Sequence, residues 1–421
     1  MSAPTDVKIN IDGTSSTIDV LCLACDSGKC DFRVQRMQRR AMRPDDVVID
    51  MKYCGVCHSD LHQAAGHMEG VMGRVQYPMV PGHELSGIVR AIGSAVTKFK
   101  VGDQIGVGCM VDACMDCTQC KAGEEQKCVK GQVGTYCGND KYGGRAAQVP
   151  VGRQTLGGYT DVFVVNEKFG IKIPEGYPLE AAGPVMCAGV TMYDPLVVNN
   201  AQNGTRVGIV GLGGLGQMGV KIAKARGCKV TVISRTAAKS AFATTTCGAD
   251  DFIVSENPED MARAAGSLDL ILNTVPVYHD YNAYRKLLKA KGGKQVLLGL
   301  HTGFIGALLA GVIVGNRSSL SGSGIGGIRA TQEVMDLCAT LGIKPDIQVV
   351  PVTQIHRVYE SLDANNDSGV RYVLDIANTL KAPNETAAQG RLPKLAPPNK
   401  KIGILRILGE VLKILVCGRY K

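Results

Sequence analysis

The sequence predicts an α/β protein that combines a β-rich domain with a doubly wound parallel sheet. Three observations predict this fold class. Residues 1–187 carry short β-branched runs separated by Gly and Cys. From residue 188 onward, short apolar runs alternate with helical patterns, which is typical of parallel strands joined by crossover helices. The first of these apolar runs leads into a glycine cluster that opens a helix.

Each region supplies its own predicted elements. In the first region, β-branched runs at 47–51 and 85–92 lie between turn residues and predict strands. A helix at 331–341 is expected to end at Gly342, its C-cap. The other predicted elements are strands at 205–210, 229–233, 251–254, 269–273 and 294–298 and helices at 219–225 and 237–244.

The composition favours a globular protein of two or three domains. The chain has 421 residues, of which 45% are hydrophobic and 20% are charged. It has no uncharged apolar run of 18 residues and no basic segment before an apolar stretch at its start. We therefore expect neither a spanning helix nor a secretory signal, and we predict a cytoplasmic protein.

Most of the formal net charge of +9 belongs to the last segment of the chain. Residues 381–421 hold nine Lys or Arg residues and two acidic ones, so the rest of the chain is nearly neutral. A nearly neutral body is not typical of a nucleic-acid-binding protein, and we predict no nucleic-acid partner.

The last segment has two parts. Residues 382–400 are rich in Pro and predict a linker. Residues 401–417 predict an amphipathic helix that is too short to span a membrane, since about 20 residues are needed. Contact with a membrane surface, packing on the body and contact with a partner subunit all remain open for this tail.

Four cysteines follow one another with the spacing C-x2-C-x2-C-x7-C. They are Cys114, Cys117, Cys120 and Cys128. Four thiolates close a tetrahedral zinc site and leave no open position, as in structural zinc sites. Disulfides are disfavoured because no secretory signal is expected. The spacing therefore predicts a structural zinc lobe, and Cys109, which breaks the spacing, is predicted not to be a ligand.

Three further motifs carry potential metal ligands. They are CGVCHSDLH at 54–62, PGHE at 81–84 and a single cysteine at 187. A catalytic zinc needs three protein ligands and one open position, and two Cys with one His form such a set. Each motif alone is weak, because a lone His is more often a core residue and C-x2-C binds other metals. Together with the lobe, the motifs predict a second, catalytic zinc.

A G-x-G-x-x-G motif follows the predicted strand 205–210 and opens a helix. Its glycines are Gly211, Gly213, Gly214 and Gly216. In this context the motif places a pyrophosphate at the N-terminus of the helix. The strand before it and the helix after it make a dinucleotide cofactor the favoured ligand.

The end of the next strand indicates which dinucleotide binds. NAD-binding chains carry an acidic residue about 20 positions after the glycines, which binds the ribose 2′-hydroxyl. This chain offers Ser234, Arg235, Thr236 and Lys239 instead. Hydroxyls and cations suit a 2′-phosphate, so NADP(H) is favoured over NAD(H). The alternative is a solvated basic turn.

These motifs resemble the zinc-dependent medium-chain alcohol dehydrogenases, most closely the cinnamyl-alcohol-dehydrogenase-like branch. The resembling stretches lie between about residues 45 and 375 and include GVCHSDLH, YPMVPGHELSG, VGDQIGVGC, TLGGY, CAGVTMYDPL, GLGGLGQMGVKIAKA, NTVPV and GSGIGGIRATQE. The resemblance implies a GroES-like catalytic domain at 1–187, to which 329–380 returns. It also implies a Rossmann NADP-binding domain at 188–328, with the tail at 381–421, and a homodimer.

The resemblance implies a role for each matching residue. Cys57, His83 and Cys187 match the catalytic zinc ligands, and Glu84 matches a carboxylate beside that metal. Asp60 matches an acid that holds the ligand histidine. Ser59 and His62 match a proton relay. The implied cofactor contacts, besides the glycines and the 234–239 set, are His58, Thr274, Ser323 and Arg371.

The resemblance implies two zinc ions per chain and the interconversion of primary alcohols and aldehydes by hydride transfer with NADP(H), in the direction of aldehyde reduction. Tyr136 and Gly324 stand where plant members carry Trp and Phe, which predicts a more open substrate pocket. The loop around 66–73 is longer than in the plant enzymes.

Three alternatives belong to other classes. They are a zinc-lobe nucleic-acid-binding or regulatory protein, a zinc-free NADPH quinone reductase, and an NAD-dependent sorbitol- or formaldehyde-type dehydrogenase. The missing acidic residue after the strand 229–233 argues against the last of them.

Overall fold

The computed structural model describes residues 17–69, 74–139, 141–142, 153–277, 279–299, 318–364 and 369–382. The predicted amphipathic helix and all but the first residue of the predicted linker lie outside these ranges. The strands within them are β1 Ile18–Cys25, β2 Phe32–Arg39, β3 Asp46–Val56, β4 Leu85–Ile92, β5 Gln104–Val107, β6 Met110–Asp112, β7 Val133–Gly134, β8 Val162–Asn166, β9 Gly170–Lys172, β10 Arg206–Val210, β11 Lys229–Ser234, β12 Asp251–Val254, β13 Leu270–Asn273, β14 Lys294–Leu297, β15 Ser319–Gly322, β16 Ile347–Pro351 and β17 Arg371–Asp375.

The α-helices within the same ranges connect or cover these strands. They are α1 His58–Ala64, α2 Thr118–Lys121, α3 Leu179–Pro184, α4 Val190–Val198, α5 Gly214–Ala225, α6 Pro258–Arg263, α7 Tyr281–Arg285, α8 Ile328–Leu341, α9 Ile355–Asp363 and α10 Ile376–Thr379.

The first sheet is mainly antiparallel and has the strand order β16-β17-β3-β4-β5-β9, with β8 paired to β3. Strands β16 and β17 come from the end of the described chain, so the chain returns to this sheet after completing the second one. The hairpin of β1 and β2 forms a separate two-stranded sheet beside it, in a stretch for which the sequence motifs make no prediction.

The second sheet has six parallel strands in the order β12-β11-β10-β13-β14-β15. The predicted doubly wound fold is therefore confirmed. The order reverses beside β10, and ligands of such sheets bind at the carboxyl ends of the strands where the order reverses. The glycine cluster follows β10 and lies at this place.

The predicted strands all form, although β3 continues past its predicted end at residue 51 to Val56, and the helix predicted at 219–225 begins earlier, at Gly214. The predicted helix 237–244 does not form as one α-helix. A 3₁₀ turn at Ala237–Lys239 and a π-helical turn at Phe242–Thr246 replace it. Three consecutive β-branched threonines end this segment and disfavour a regular α-helix. The predicted C-cap is confirmed, because Gly342 ends α8 in the left-handed region with a φ of 66°.

A continuous helix, Leu179–Val198, joins the two sheets and comprises α3, a π-helical turn at Val185–Gly189 and α4. It is long and apolar enough to span a membrane. However, 83% of its most apolar window is buried inside the fold, as in the core helix of a globular protein. The π-helical turn carries Cys187, and such turns occur frequently at functional sites.

Candidate active site

Four potential metal ligands converge in one buried group, the buried metal group, comprising Cys57, His83, Glu84 and Cys187. One ligand atom of each lies within 4.8 Å of the others. Cys57 is the N-cap of α1, and His83 and Glu84 immediately precede β4. The chain thus brings together three segments that lie far apart in sequence.

The distances within this group suit zinc. The sulfur atoms of Cys57 and Cys187 are 4.0 Å apart, and His83 Nε2 lies 3.2 Å from the sulfur of Cys187. Zn–S bonds of about 2.3 Å at a tetrahedral angle place two sulfur atoms about 3.8 Å apart. The residues present therefore fit a four-coordinate zinc ion, and the predicted ligand set is brought together.

Asp60 fixes the orientation of His83. Its Oδ1 accepts from His83 Nδ1 at 3.0 Å and from the backbone N–H of Gly82 at 3.2 Å. Its Oδ2 accepts from the backbone N–H of Cys57 at 2.8 Å and from the Tyr159 hydroxyl at 3.3 Å. Asp60 is fully buried, and its carboxylate accepts a hydrogen bond from Nδ1–H of His83. The proton of the neutral ring is therefore on Nδ1, and Nε2 directs its lone pair toward the two sulfur atoms.

Electrostatics favour the thiolate form of Cys57. The pKa of Cys57 lies well below its ordinary value, chiefly because of the hydrogen bond with the Cys187 sulfur and also because of the positive charge of Arg371. Zinc binds cysteine as a thiolate, so a lowered pKa at Cys57 helps metal binding near neutral pH.

Glu84 connects the buried metal group to Arg371. The Arg371 guanidinium forms an ion pair with Glu84 Oε1, and both side chains are buried. Burial raises the pKa of Glu84 to about 7 although the charge of Arg371 lowers it. The second oxygen, Oε2, is buried and has no hydrogen-bond partner among the described residues. An orphaned carboxylate oxygen beside two thiols and an imidazole is what an absent cation would leave.

Two residues that the motifs did not assign to this group lie beside it. Cys109 donates from its sulfur to the carbonyl of Met186 at 4.0 Å, and it lies close enough to Cys187 and His83 to interact with them electrostatically. It is indeed absent from the four-cysteine lobe, but its place is beside the buried metal group. The ring of Tyr136 lies 5.4 Å from that of His83 and is almost fully buried, which suits its predicted place near a substrate.

The predicted lobe forms a second potential metal group. The sulfur atoms of Cys114, Cys117, Cys120 and Cys128 lie within 4.8 Å of one another. Those of Cys114 and Cys120 are 3.8 Å apart, the separation expected for two thiolates on one zinc ion. Burial alone would raise the pKa of Cys128, but hydrogen bonds from backbone groups and Tyr142 lower it to about 6.

The lobe also supports the second sheet. Glu125, between Cys120 and Cys128, accepts a hydrogen bond at 2.9 Å from the backbone N–H of Ile328, the first residue of α8. A carboxylate at a helix N-terminus accepts a hydrogen bond from a free backbone N–H group and interacts favourably with the helix dipole. The lobe therefore positions α8, whose Val334 and Met335 pack into the hydrophobic core of the second sheet.

The glycine cluster is shaped to admit a ligand at the N-terminus of α5. Gly211 has a φ of 89°, which favours glycine, and a Cβ on Gly216 would lie 2.1 Å from the Gly211 carbonyl oxygen. A Cβ on Gly213 would meet open space. Thr274 donates from Oγ1 to the carbonyl of Val210 at 2.8 Å and so supports the turn. These features fit a dinucleotide pyrophosphate.

Ser234, Arg235, Thr236 and Lys239, here called the basic set, lie at or just after the carboxyl end of β11. Ser234 ends the strand, and Arg235 and Thr236 are exposed. Lys239 reaches back to the glycine cluster and donates to the carbonyl of Leu212 at 3.1 Å. The set therefore borders the glycine cluster, where the ribose 2′ position of a dinucleotide is expected.

Not every predicted cofactor residue contacts the glycine cluster. Arg371 does, because a Cβ on Gly214 would lie 2.3 Å from the Arg371 Cδ. Ser323 follows β15 at the far edge of the sheet, and its hydroxyl donates to Asp194 at 3.2 Å.

The predicted relay residues lie on α1. The Cys57 sulfur is 3.7 Å from the Ser59 hydroxyl, so Ser59 lies beside the buried metal group. The rings of His58 and His62 stack with centroids 4.9 Å apart. Burial, helped by the neighbouring histidines, lowers the pKa of His62 to about 4. His62 is therefore neutral at physiological pH.

Family models match both halves of the chain. Residues 43–175 match the alcohol dehydrogenase GroES-like domain, and residues 214–340 match the zinc-binding dehydrogenase domain. The NADP-dependent alcohol dehydrogenase C 1 of Mycolicibacterium smegmatis is 43% identical over 81% of this chain and 93% of its own length. A probable cinnamyl alcohol dehydrogenase of Zea mays is 44% identical over 80% of this chain and 87% of its own.

The chain belongs to the zinc-dependent alcohol dehydrogenase family. Its fold resembles a cinnamyl alcohol dehydrogenase of Sorghum bicolor with a TM-score of 0.80 and 36% identity, covering 87% of this chain and all of that one. The corresponding Helicobacter pylori enzyme, solved with NADP(H), has a TM-score of 0.77 and 35% identity, over 86% and 100% of the two chains.

These comparisons confirm the predicted family, its GroES-like and Rossmann fold, and an alcohol/aldehyde oxidoreductase. They do not favour a nucleic-acid-binding protein. A zinc-free quinone reductase is disfavoured as well, because two complete ligand groups are present.

Proposed function

We propose that this alcohol dehydrogenase reduces aldehydes to primary alcohols with NADPH, using the buried metal group as its catalytic zinc site. The observation that carries the proposal is the position of Arg371. Its guanidinium pairs with Glu84, and its side chain lies against Gly214. Arg371 thus contacts both the buried metal group and the glycine cluster. The proposed zinc site and the proposed coenzyme site are therefore adjacent.

Cys57, His83 and Cys187 hold the metal in this proposal, with Glu84 beside it. Bound zinc acts as a Lewis acid that polarises a carbonyl oxygen. Asp60 orients His83, and Arg371 holds Glu84 beside the other ligands through a buried ion pair.

The same proposal assigns the coenzyme to the carboxyl ends of β10 and β11. NADP(H) supplies the hydride equivalent when bound. The basic set and the lack of an acidic residue directly after β11 support NADP(H), as does the similarity to the NADP-dependent Mycolicibacterium smegmatis enzyme and to the Helicobacter pylori enzyme solved with NADP(H). The residues proposed to hold it are His58, Gly211, Gly213, Gly214, Gly216, Ser234, Arg235, Thr236, Lys239, Thr274, Ser323 and Arg371.

Ser59 and His62 are proposed to move the proton. Ser59 lies beside Cys57, and His62 lies one helical turn farther along α1, toward the exposed His67. The pKa of about 4 keeps His62 neutral near pH 7, and a neutral imidazole offers one N–H donor and one acceptor nitrogen to a hydrogen-bonded relay.

Assembly and location are part of the proposal. Strand β15 lies at the edge of the second sheet and pairs only with β14 among the described strands, so a second copy can extend the sheet there into a homodimer. We propose the domain division 1–187 with 329–380, 188–328 and 381–421; the strand orders support its first two parts, because β10–β15 form one sheet whereas β16 and β17 join the earlier strands. We propose a cytoplasmic enzyme whose tail contacts a partner or a membrane surface.

The experiment is a coenzyme and substrate survey of the purified full chain. Oxidation of NADPH and of NADH is followed with a panel of aliphatic and aromatic aldehydes. We expect aldehyde-dependent oxidation with a clear preference for NADPH. Absence of turnover with every aldehyde and both coenzymes contradicts the proposal.

A further inference from the structure

Two histidines face each other where α1 ends. His62 lies in the last turn of α1, and His67 follows in the exposed turn after it. Their Nδ1 atoms are 3.3 Å apart. Among the described residues, groups of three or more potential ligands occur at the buried metal group and the lobe, and this pair belongs to neither.

The backbone holds the two rings in place. Gly66 adopts a left-handed φ of 69° and donates to the carbonyl of Gln63 at 3.0 Å. The next N–H group, that of His67, donates to the carbonyl of His62 at 2.9 Å. The ring of His58 stacks on that of His62 with an interplanar angle of 20°. The pair is therefore preorganised by a closed turn on one side and a ring on the other.

The separation of the two nitrogens is long for a hydrogen bond and matches the spacing of two ligands on one metal ion. Protein N–H hydrogen bonds usually span about 2.7–3.2 Å. Two imidazole nitrogens that each lie about 2.0–2.1 Å from one zinc ion at a tetrahedral angle are about 3.3 Å apart. We propose that the Nδ1 atoms of His62 and His67 bind a third metal ion of the borderline class, such as Zn²⁺, Ni²⁺ or Cu²⁺, for which imidazole is a suitable ligand.

The surroundings favour a cation at this pair. The pKa of His62 is about 4, lowered chiefly by burial, so its ring needs no deprotonation before it binds a metal. The carboxylate of Asp363, at the end of α9, lies close enough to act on His62 and His58. His67 is exposed, so water can complete the coordination shell.

An ion at this position has a functional consequence that rests on the proposed role of His62. It occupies the nitrogen through which His62 reaches the surface, so the proton path closes while the buried metal group keeps its own ligands. Filling the site should therefore slow turnover reversibly.

The test counts metal ions on the holoenzyme that already carries two zinc ions. Equilibrium dialysis against Zn²⁺ is followed by elemental analysis for the wild type, His67→Gln and the control Glu69→Gln, which changes an exposed neighbouring acid but no imidazole. We expect a third ion in the wild type and in Glu69→Gln. In His67→Gln its affinity should fall at least about tenfold, since even loss of an outer partner of a ligand costs that much. Equal third-ion affinity in all three proteins, or no third ion in the wild type, overturns the site.

The same samples separate this site from the proposed function. Aldehyde reduction by the wild type should fall as the third ion binds and recover on dilution. If the ion binds through His67 and the rate is unchanged, the metal site stands and the relay role of His62 is wrong.

Discussion

Arg371 and Glu84 form a buried ion pair although they are 287 residues apart in the chain. The pair joins β17 to the segment before β4, and the aliphatic part of Arg371 covers Gly214. The return of the chain to the first sheet thus serves the site directly, because it delivers a cation that contacts both the buried metal group and the glycine cluster.

Replacing Arg371 by Met should destabilise the enzyme and weaken coenzyme binding. The change leaves the Glu84 carboxylate buried without its partner, and breaking a buried pair costs about 3–5 kcal/mol. Urea unfolding of the zinc-loaded protein measures the loss. The double variant Arg371→Met with Glu84→Gln should recover much of that stability without recovering coenzyme affinity. Equal stability of the single and double variants would show that the pair is not coupled.

Replacing Asp60 by Asn should loosen the metal rather than unfold the protein. Asn keeps the size and one oxygen, but it removes the charge that orients His83. Loss of such a partner lowers metal affinity or activity about 10–100-fold. Zinc per chain after dialysis against a chelator measures the effect. Tyr159→Phe removes one of the four hydrogen bonds to Asp60 and should have a smaller effect in the same direction.

Replacing Arg235 by Ala should act on one coenzyme only. If Arg235 binds a 2′-phosphate, the variant loses a charge-assisted contact worth roughly 1.5–3 kcal/mol. The KM for NADPH should then rise about tenfold or more, whereas that for NADH stays nearly constant. Equal changes for both coenzymes would instead place Arg235 at a shared part of the dinucleotide.

His62 should make the enzyme less stable in mild acid. Its pKa of about 4, lowered chiefly by burial, lies below the unfolded value of about 6.5, so the unfolded chain binds more protons between these pH values. The free energy of unfolding should therefore fall as the pH drops through this window. Urea midpoints are measured at pH values from about 7 down to about 5, within the window between the two pKa values. They should fall more steeply for the wild type than for His62→Gln. Parallel curves would contradict the lowered pKa.

The local parts of this site follow from short-range sequence patterns. The lobe spacing, the glycine motif after a strand and the C-cap at Gly342 each depend on residues within one or two turns of each other. These patterns predicted the parallel sheet and the family correctly, and the structure brings the predicted ligand residues together, although their role as ligands stays a prediction. The roles of Ser59, His62 and Ser323 stay predictions.

The long-range parts do not follow from such patterns. The pairing of Arg371 with Glu84 and the contact of Cys109 with Cys187 depend on the packing of segments that no local spacing connects. Tyr159 lies in the TLGGY stretch that carried the resemblance, but only the fold shows that its hydroxyl donates to Asp60. The absence of a regular α-helix at 237–244 could have been predicted from the sequence, because three consecutive β-branched threonines end the segment.

The central claim is that Cys57 belongs to a catalytic zinc site and Cys120 to a structural one. The most direct measurement is zinc per chain and NADPH-dependent aldehyde reduction, determined on the same samples of the wild type, Cys57→Ser and Cys120→Ser. We expect two zinc ions in the wild type and one in each variant. Cys57→Ser should lose turnover, while the thermal stability of the lobe stays unchanged. Cys120→Ser should lose thermal stability before it loses turnover. Full turnover in Cys57→Ser, or a wild type without zinc, would contradict the account.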